Sequence, residues 1–172
     1  MRLLVKSLVM DLEIIDNFLP DYQFKSIQKS LTGDMFPWYY NDCACRSGDK
    51  RTQFTHTFFS VKKGQRSSQF PLMEPCLPAL KAYGLNRIMA VLTVGTLFNR
   101  RTEYHVDLDD PGNILTGVFY INTCNGGTKF KGGPKVKSVA NRVVIFDTNL
   151  KHAAVTCTDK QSRVVVNFNF SR

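Results

Sequence analysis

Little in this 172-residue chain is available for covalent or metal-built scaffolding. Its five cysteines, Cys43, Cys45, Cys76, Cys124 and Cys157, are odd in number and irregularly spaced. A closed disulfide framework is therefore not expected, and a reducing, cytoplasmic setting is. Cys43-Ala-Cys45 has no second cysteine or histidine pair at ligand spacing, which argues against a structural zinc site. Long apolar runs are also missing. MRLLVKSLVM is too short to span a bilayer, Asp11 and Glu13 follow at once, and no small-residue cleavage site appears. It reads as a first strand, with no membrane partner implied. No repeat, low-complexity tract or Ser/Gly linker divides the sequence, so one domain over residues 1–172 is expected. Acidic residues are scarce, 14 against 23 Lys and Arg, for a net charge of +9. That balance admits an acidic partner, yet the basic residues are scattered through Arg46 to Arg66 and Lys129 to Arg142 without a dense cluster. A solvated face accounts for most of them, and nucleic acid is the weaker reading.

What the chain does have is apolar and aromatic material: 43% hydrophobic residues, with 13 Phe and 6 Tyr, enough for a real core and far too much for a disordered chain. LEIIDNFLP predicts a short strand and turn. Phe24, Ile27 and Leu31 then recur at helical spacing, and Gly33 supplies the stop. TQFTHTFFS alternates as a strand, and a second helix is expected near LPALKAYGL, with Pro75 and Pro78 at its start where a missing N–H does no harm. From Ile88 onward the texture is short β-rich runs: IMAVLTV, TGVFYIN, GTKF, KVKSV, RVVIF, AAVTC and RVVVNFNF. Helices first and strands later argue against alternating βαβ units and predict an α+β, mainly β chain, a double-sheet jelly roll or small barrel with N-terminal supporting helices. NGGTKFKGGPK lacks a Gly-Lys-Ser/Thr ending and a following helix, so it reads as hairpin turns and not as a phosphate loop.

Three histidines are present, and one lies in His105-Val106-Asp107, a spacing that puts both side chains on one face of an extended segment. His152 follows RVVIFDTN, where a neighbouring strand of the same β-rich half would end. Two imidazoles and one carboxylate converging from neighbouring strands form a facial triad, the ligand set of non-haem Fe(II) with open positions. Along RVVVNFNF, Val164, Val166, Phe168 and Phe170 share one face, and Arg163, Val165, Asn167 and Asn169 share the other. Arg163 reads either as a surface residue after the Asp159–Ser162 turn or as an inward cation needing an anion. A guanidinium fork matches a carboxylate through two parallel hydrogen bonds, as a dicarboxylic acid cosubstrate would require.

This pattern resembles the 2-oxoglutarate/Fe(II)-dependent dioxygenases, specifically their prolyl 4-hydroxylase-like branch. LEIIDNFLPDYQFKSIQKSL is similar to that branch's entry strand and helix, YHVDLDDP to its first metal-binding segment, and TGVFYINTCNGGTKF to its strand, turn and Gly-Gly-Thr-x-Phe hairpin. NRVVIFDTNLKHAAVTC resembles the segment bearing the second histidine, and Arg163 falls where the family has its basic anchor. The resemblance implies a cupin-like double-stranded β-helix with His105, Asp107 and His152 as catalytic iron ligands, and Arg163 on the distal carboxylate of 2-oxoglutarate. Tyr120 would donate a hydrogen bond to that carboxylate, and Asn167 would touch cosubstrate or substrate. Fe(II), 2-oxoglutarate and molecular oxygen are the implied cofactor and cosubstrates, with ascorbate as an admitted reductant and a peptidyl proline as the implied substrate. The family's second tyrosine, on the strand before the metal motif, has no clear equivalent in VLTVGTLFNRRTEYHVD, where Thr96 or Asn99 would substitute. His56 reads as a packed core or surface histidine and not a ligand, Asp109 and Asp110 as solvated acids, Asp147 as an acceptor near His152, and Cys124 and Cys157 as small buried residues. A hydroxylase of nucleic acid or small molecules, and a non-catalytic cupin-like binding module, are the rival readings.

Overall fold

The computed structural model describes residues 2–7, 10–42, 52–108 and 112–172. Cys43, Cys45, Asp109 and Asp110, each read from the sequence, lie outside the described residues. The chain opens on an antiparallel pair, β1 (Arg2–Ser7) and β2 (Met10–Asp16), then α1 (Asp21–Thr32). The α1 stripe Phe24, Ile27 and Leu31 is buried, as its spacing of three and four requires, and Gly33 ends the helix. Next come β3 (Tyr39–Asn41), β4 (Gln53–Ser60), β5 (Gln65–Arg66), a 3-10 turn at Phe70–Met73 and α2 (Cys76–Leu80). The second helix is thus shorter than LPALKAYGL predicts. Lys81 takes the left-handed conformation (φ 56°) and the Tyr83 N–H is caught by the Ser171 carbonyl, which turns Gly84 and Leu85 into strand.

The β-rich part consists of β6 (Gly84–Val94), β7 (Leu115–Tyr120), β8 (Gly127–Phe130), β9 (Lys135–Lys137), β10 (Arg142–Asp147), β11 (His152–Val155) and β12 (Ser162–Ser171). Among the described residues these form two antiparallel sheets. The larger runs β1-β2-β10-β7-β12-β6-β4-β3, with β5 beside β4, and the smaller runs β11-β8-β9. Single bridges pair Arg101 with Val155 and His105 with His152, so the segment carrying the first histidine borders the small sheet. From β6 onward the chain therefore alternates between the sheets: large, small, large, small twice, large, small, large. That winding is the double-stranded β-helix expected from the sequence.

Alternation along β12 fixes what each face of the large sheet does. Val164, Val166, Phe168 and Phe170 are fully buried against α1, α2 and the 3-10 turn, together with Phe119, Ile145 and Ile88. Burial of each such side chain stabilises by roughly 1.5–3 kcal/mol. The opposite face carries Arg163, Val165, Asn167 and Asn169, and cross-strand register adds Thr93, Val91, Met89 and Arg87 from β6 and Tyr120, Val118 and Thr116 from β7. Val91, Val118, Tyr120, Val144, Phe146 and Val165 pack there against Phe130 and Val136 of the small sheet. A polar row thus runs down the inside of an otherwise apolar cleft.

Candidate active site

His105, Asp107 and His152 come together on that inner face, their ligand atoms all within 4.8 Å of one another. The pairing that joins the first motif to β11 is reciprocal, with His105 N–H donating to the His152 carbonyl and His152 N–H to the His105 carbonyl, each at 3.0 Å. His105 Nδ1 lies 3.1 Å from the Glu103 carbonyl and His152 Nδ1 2.9 Å from the Leu150 carbonyl. A carbonyl only accepts, so each Nδ1 carries a proton, the tautomer that in a neutral ring leaves the Nε2 lone pair for a ligand. Those two Nε2 atoms sit 3.9 and 3.8 Å from Asp107 Oδ1, a spacing one cation at about 2.0–2.2 Å from each donor can bridge. His152 is held in this orientation by Phe146, edge-on at 4.9 Å, and by Phe130 beyond it. The same packing buries the ring, and burial lowers the His152 pKa against the opposing pull of Asp107, which keeps the imidazole neutral near pH 7.

Asp107 is buried, and its surroundings show why the charge survives there. Burial pushes its carboxyl up. Arg87, His152, the Asn169 amide and His105 together outweigh this and hold it below the ordinary carboxylate range. Asn169 Nδ2 donates to Asp107 Oδ2 at 3.0 Å and to Thr116 Oγ1 at 3.0 Å, and Thr116 Oγ1 lies 3.4 Å from the same carboxylate oxygen. Arg87 Nε in turn donates to Asn169 Oδ1 at 2.9 Å, and Arg87 Nη2 is 3.4 Å from Asp107 Oδ1. Sequence reasoning missed Arg87 and Thr116 as site residues. They come from β6 and β7 and meet Asp107 only through their register with β12, which no local motif encodes. Asn169 left a trace, since alternation put it on the Arg163 face.

Arg163 is 2% exposed, not a surface residue. Its Nη2 reaches Thr128 Oγ1 at 3.3 Å, and its guanidinium carbon lies 5.6 Å from the centre of the Tyr120 ring. Its Nε is buried with no hydrogen-bond partner among the described residues. Tyr120 is fully buried and donates to Thr128 Oγ1 at 2.8 Å, and burial raises its pKa so that it stays a neutral phenol. Thr128, the threonine of the Gly-Gly-Thr hairpin, therefore links the two residues and is a further one the sequence reading did not assign. The glycines before it have a steric reason: a Cβ on Gly126 would lie 2.7 Å from the Val155 carbonyl oxygen and 3.1 Å from Arg163 Cδ. One on Gly127 would strike the Val136 carbonyl. Asn167 stands half-buried between the Arg163 end and the triad end of β12, opposite Met89 and Val118.

Other candidates find different employment. Asp147 does not reach His152, because its Oδ1 accepts from the Asn149 backbone and side-chain nitrogens at 2.8 and 3.0 Å and caps the turn before β11. Thr96 and Asn99 do not replace the absent tyrosine. Thr96 Oγ1 bonds Thr156 Oγ1 and the Phe98 carbonyl, and Asn99 Nδ2 donates to the Thr156 carbonyl, so both tie down the loop after β6. His56 is buried between Phe36 and Phe58, with both ring nitrogens bonded at 2.9 Å to the Pro37 carbonyl and Ser67 Oγ. Cys76, Cys124 and Cys157 are buried free thiols, and burial pushes Cys157 up to about 11.

No family model matches this chain, and no curated protein matches it in sequence. Solved structures do share its fold. A prolyl hydroxylase from Trichoplax adhaerens, in complex with a peptide fragment of the hypoxia inducible factor oxygen degradation domain, superposes with a TM-score of 0.66 at 14% identity over 93% of this chain and 83% of that one. A 2OG-Fe(II) oxygenase family oxidoreductase from Burkholderia pseudomallei gives 0.66 at 11% identity over 93% and 84%. A prolyl-4-hydroxylase from Pseudomonas putida gives 0.57 at 14% identity over 96% and 95%. The chain has the double-stranded β-helix fold of the prolyl hydroxylases and 2OG-Fe(II) oxygenases.

Proposed function

We propose that this protein is an Fe(II)- and 2-oxoglutarate-dependent hydroxylase of the prolyl 4-hydroxylase-like kind, with peptidyl proline as its substrate class. The observation that carries the reading is the Nε of Arg163, buried with no hydrogen-bond partner among the described residues, on the same inner face as a His105-Asp107-His152 triad whose two Nε2 atoms face the Asp107 carboxylate. A buried guanidinium left incompletely paired is costly, and a carboxylate is the partner its fork fits. His105, Asp107 and His152 fit a first-row divalent cation of the Fe(II) type, because two neutral imidazoles and one carboxylate suit it and leave positions open. Bound iron, with 2-oxoglutarate and molecular oxygen, supplies oxidative decarboxylation to succinate and hydroxylation of an unactivated C–H bond.

The chain's own residues bind and orient. His105 and His152 are fixed in the ligating tautomer by the Glu103 and Leu150 carbonyls. Asn169, Thr116 and Arg87 hold the Asp107 carboxylate charged and stationary. Arg163, backed by Thr128 and Tyr120, binds the distal carboxylate of the cosubstrate, and Asn167 lines the path between the two ends. Phe130, Phe146, Val118 and Val165 keep water out of the cleft. The peptide complex of the Trichoplax prolyl hydroxylase supports a peptide over a nucleic acid. So do the basic residues between Lys129 and Arg142, since Lys129 donates to the Gly133 carbonyl, Lys135 to the Asn125 carbonyl and Arg142 to Asp16. Free buried thiols agree with a reducing, cytoplasmic setting.

The test is succinate release from 2-oxoglutarate with and without added Fe(II), followed by a screen of proline-containing peptides for a gain of one oxygen atom. Iron-dependent turnover that disappears in His152→Ala is expected. Turnover indifferent to iron, or undiminished in that variant, overturns the assignment.

A further inference from the structure

Two thiols and a carboxylate converge at a place the proposed hydroxylase chemistry does not use. Cys124 lies in the turn between β7 and β8, Cys157 just beyond β11, and Asp159 two residues later. One ligand atom from each falls within 4.8 Å of the other two. Both cysteines are buried free thiols, while Asp159 is exposed at the mouth of the cluster. The backbones that present them are tied by bonds that involve neither sulfur. Asn125 Oδ1 accepts from Thr158 N–H at 2.9 Å, its Nδ2 donates to Thr158 Oγ1 at 2.7 Å, and its own N–H donates to Asp159 Oδ1 at 3.0 Å. Cys124 N–H donates to the Ser138 carbonyl at 3.1 Å, and the Cys157 carbonyl accepts from Thr96 N–H at 2.9 Å. The donor atoms are therefore brought together by the fold itself, and little further chain ordering is needed to close them on an ion.

We infer that Cys124, Cys157 and Asp159 form a second metal site, separate from the His105-Asp107-His152 centre, that takes a soft divalent cation of the zinc or cadmium kind. Thiolate donors select soft and borderline cations over hard, oxygen-seeking ones such as magnesium, whereas two imidazoles and a carboxylate suit Fe(II). Three protein ligands leave one position of a tetrahedron to water. Each thiol gives its proton to solvent as its sulfur takes up the cation.

The cluster also adjoins the cosubstrate anchor. Both thiols lie within electrostatic reach of the Arg163 guanidinium, and the turn residue Gly126 packs on the Arg163 stem. Two thiolates and a carboxylate around a dication carry a net single negative charge, which would sit beside the Arg163 guanidinium and compete with a dicarboxylate for it. Filling the site weakens 2-oxoglutarate binding, and this consequence, unlike the site itself, rests on the function proposed above.

The experiment titrates cadmium(II) into full-length protein carrying His152→Ala, Cys43→Ser and Cys45→Ser, and reads the ultraviolet absorption of thiolate-to-cadmium charge transfer. One bound equivalent with a charge-transfer band is expected. Cys124→Ser or Cys157→Ser in that background should at least halve the band and weaken binding, the double variant should lose the band, and Asp159→Asn should keep it with weaker binding. Should a serine variant fail to fold, Cys124→Ala or Cys157→Ala, which keeps an apolar group in the buried position, replaces it. No band in the background protein, or a band undiminished by removal of either thiol, overturns the site. In protein with the triad and Cys43 and Cys45 intact, cadmium should weaken 2-oxoglutarate binding more than it does in the Cys124→Ser/Cys157→Ser double variant. Equal weakening overturns the coupling. If neither protein binds 2-oxoglutarate, the proposed function fails while the charge-transfer band still decides the metal site.

Discussion

Arg163 and Asn169 occupy the same face of one strand, and each lies at a different end of the cleft. A Lys at position 163 keeps the positive charge and loses the planar fork and the Nε donor that stands unpaired. Arg163→Lys is expected to lower 2-oxoglutarate affinity roughly 5- to 150-fold, about 1–3 kcal/mol, with Mn(II) binding retained. A cosubstrate titration of metal-loaded protein with succinate release as the activity readout checks it, and equal affinity in both proteins would make Arg163 a purely structural residue. Asn169 has the complementary role. Its Nδ2 donates to Asp107 Oδ2 at 3.0 Å while its Oδ1 accepts from Arg87 Nε at 2.9 Å, so its removal takes one support from the carboxylate and one from the guanidinium. Asn169→Ala should weaken Mn(II) binding by about 10- to 100-fold, the usual size of such support. A direct Mn(II) titration read by loss of free-ion signal measures this without any need for turnover.

Among the strands, β2 joins the double-stranded β-helix at the edge of β10, and the pairing ends in a two-pronged ion pair. Arg142 Nε and Nη2 donate to Asp16 Oδ1 and Oδ2 at 2.6 and 2.9 Å. The hydrogen bonds from Arg142 hold the Asp16 carboxyl below its ordinary pKa of 3.8. A carboxyl whose pKa is lower folded than unfolded stabilises the fold above the unfolded value, and the contribution fades as pH falls through the folded one. The Asp16 side chain is 39% exposed, so the effect is on the order of 0.2–1 kcal/mol after solvent screening. Asp16→Asn should therefore be less stable than wild type from neutral pH down to about pH 4, with the gap closing in more acid solution. Urea unfolding of both proteins across that range tests the sign as well as the size. A gap that widened in acid would contradict the role given to Arg142.

On the scale of the whole molecule, the triad joins segments that fold far apart in sequence. His105 and Asp107 come from the stretch after β6 and His152 from β11, and isolated bridges at Arg101–Val155 and His105–His152 join the two segments. A metal that binds the folded chain alone stabilises it by about 2.7 kcal/mol at a hundred times its Kd. In a chain of this size that corresponds to an increase in Tm of roughly 5–11 °C. Fe(II) or Mn(II) under anaerobic conditions should produce this rise in wild type and not in His152→Ala, as followed by thermal unfolding. No described helix is long and apolar enough to cross a membrane, and the basic surplus is partly taken up by the chain's own carbonyls and carboxylates.

Local pattern was sufficient for much of this architecture. Alternation in RVVVNFNF separated the face of β12 that meets the helices from the face that holds Arg163, because a strand has a period of two whatever its partners are. The spacing of Phe24, Ile27 and Leu31 with the Gly33 stop marked α1 for the same kind of reason. His105-Val106-Asp107 named two members of the candidate triad by sharing a face, and His152 the third by its place at a strand end. Where α2 stops was not legible, since a left-handed Lys81 and a hydrogen bond from Tyr83 to the distant Ser171 carbonyl decide it. Nor was the company Asp107 keeps: Arg87 and Thr116 reach it only through their register with β12, and Asp147, close to His152 in sequence, turns to Asn149 instead. Cys124 and Cys157 read singly as small buried residues, and it took the pairing of two loops through Asn125 to bring their sulfurs together. Periodicity and turn chemistry belong to a residue and its neighbours, so the sequence states them directly. Register across strands and the partners of a buried charge are set by which distant segments pack together, and only the tertiary structure decides that.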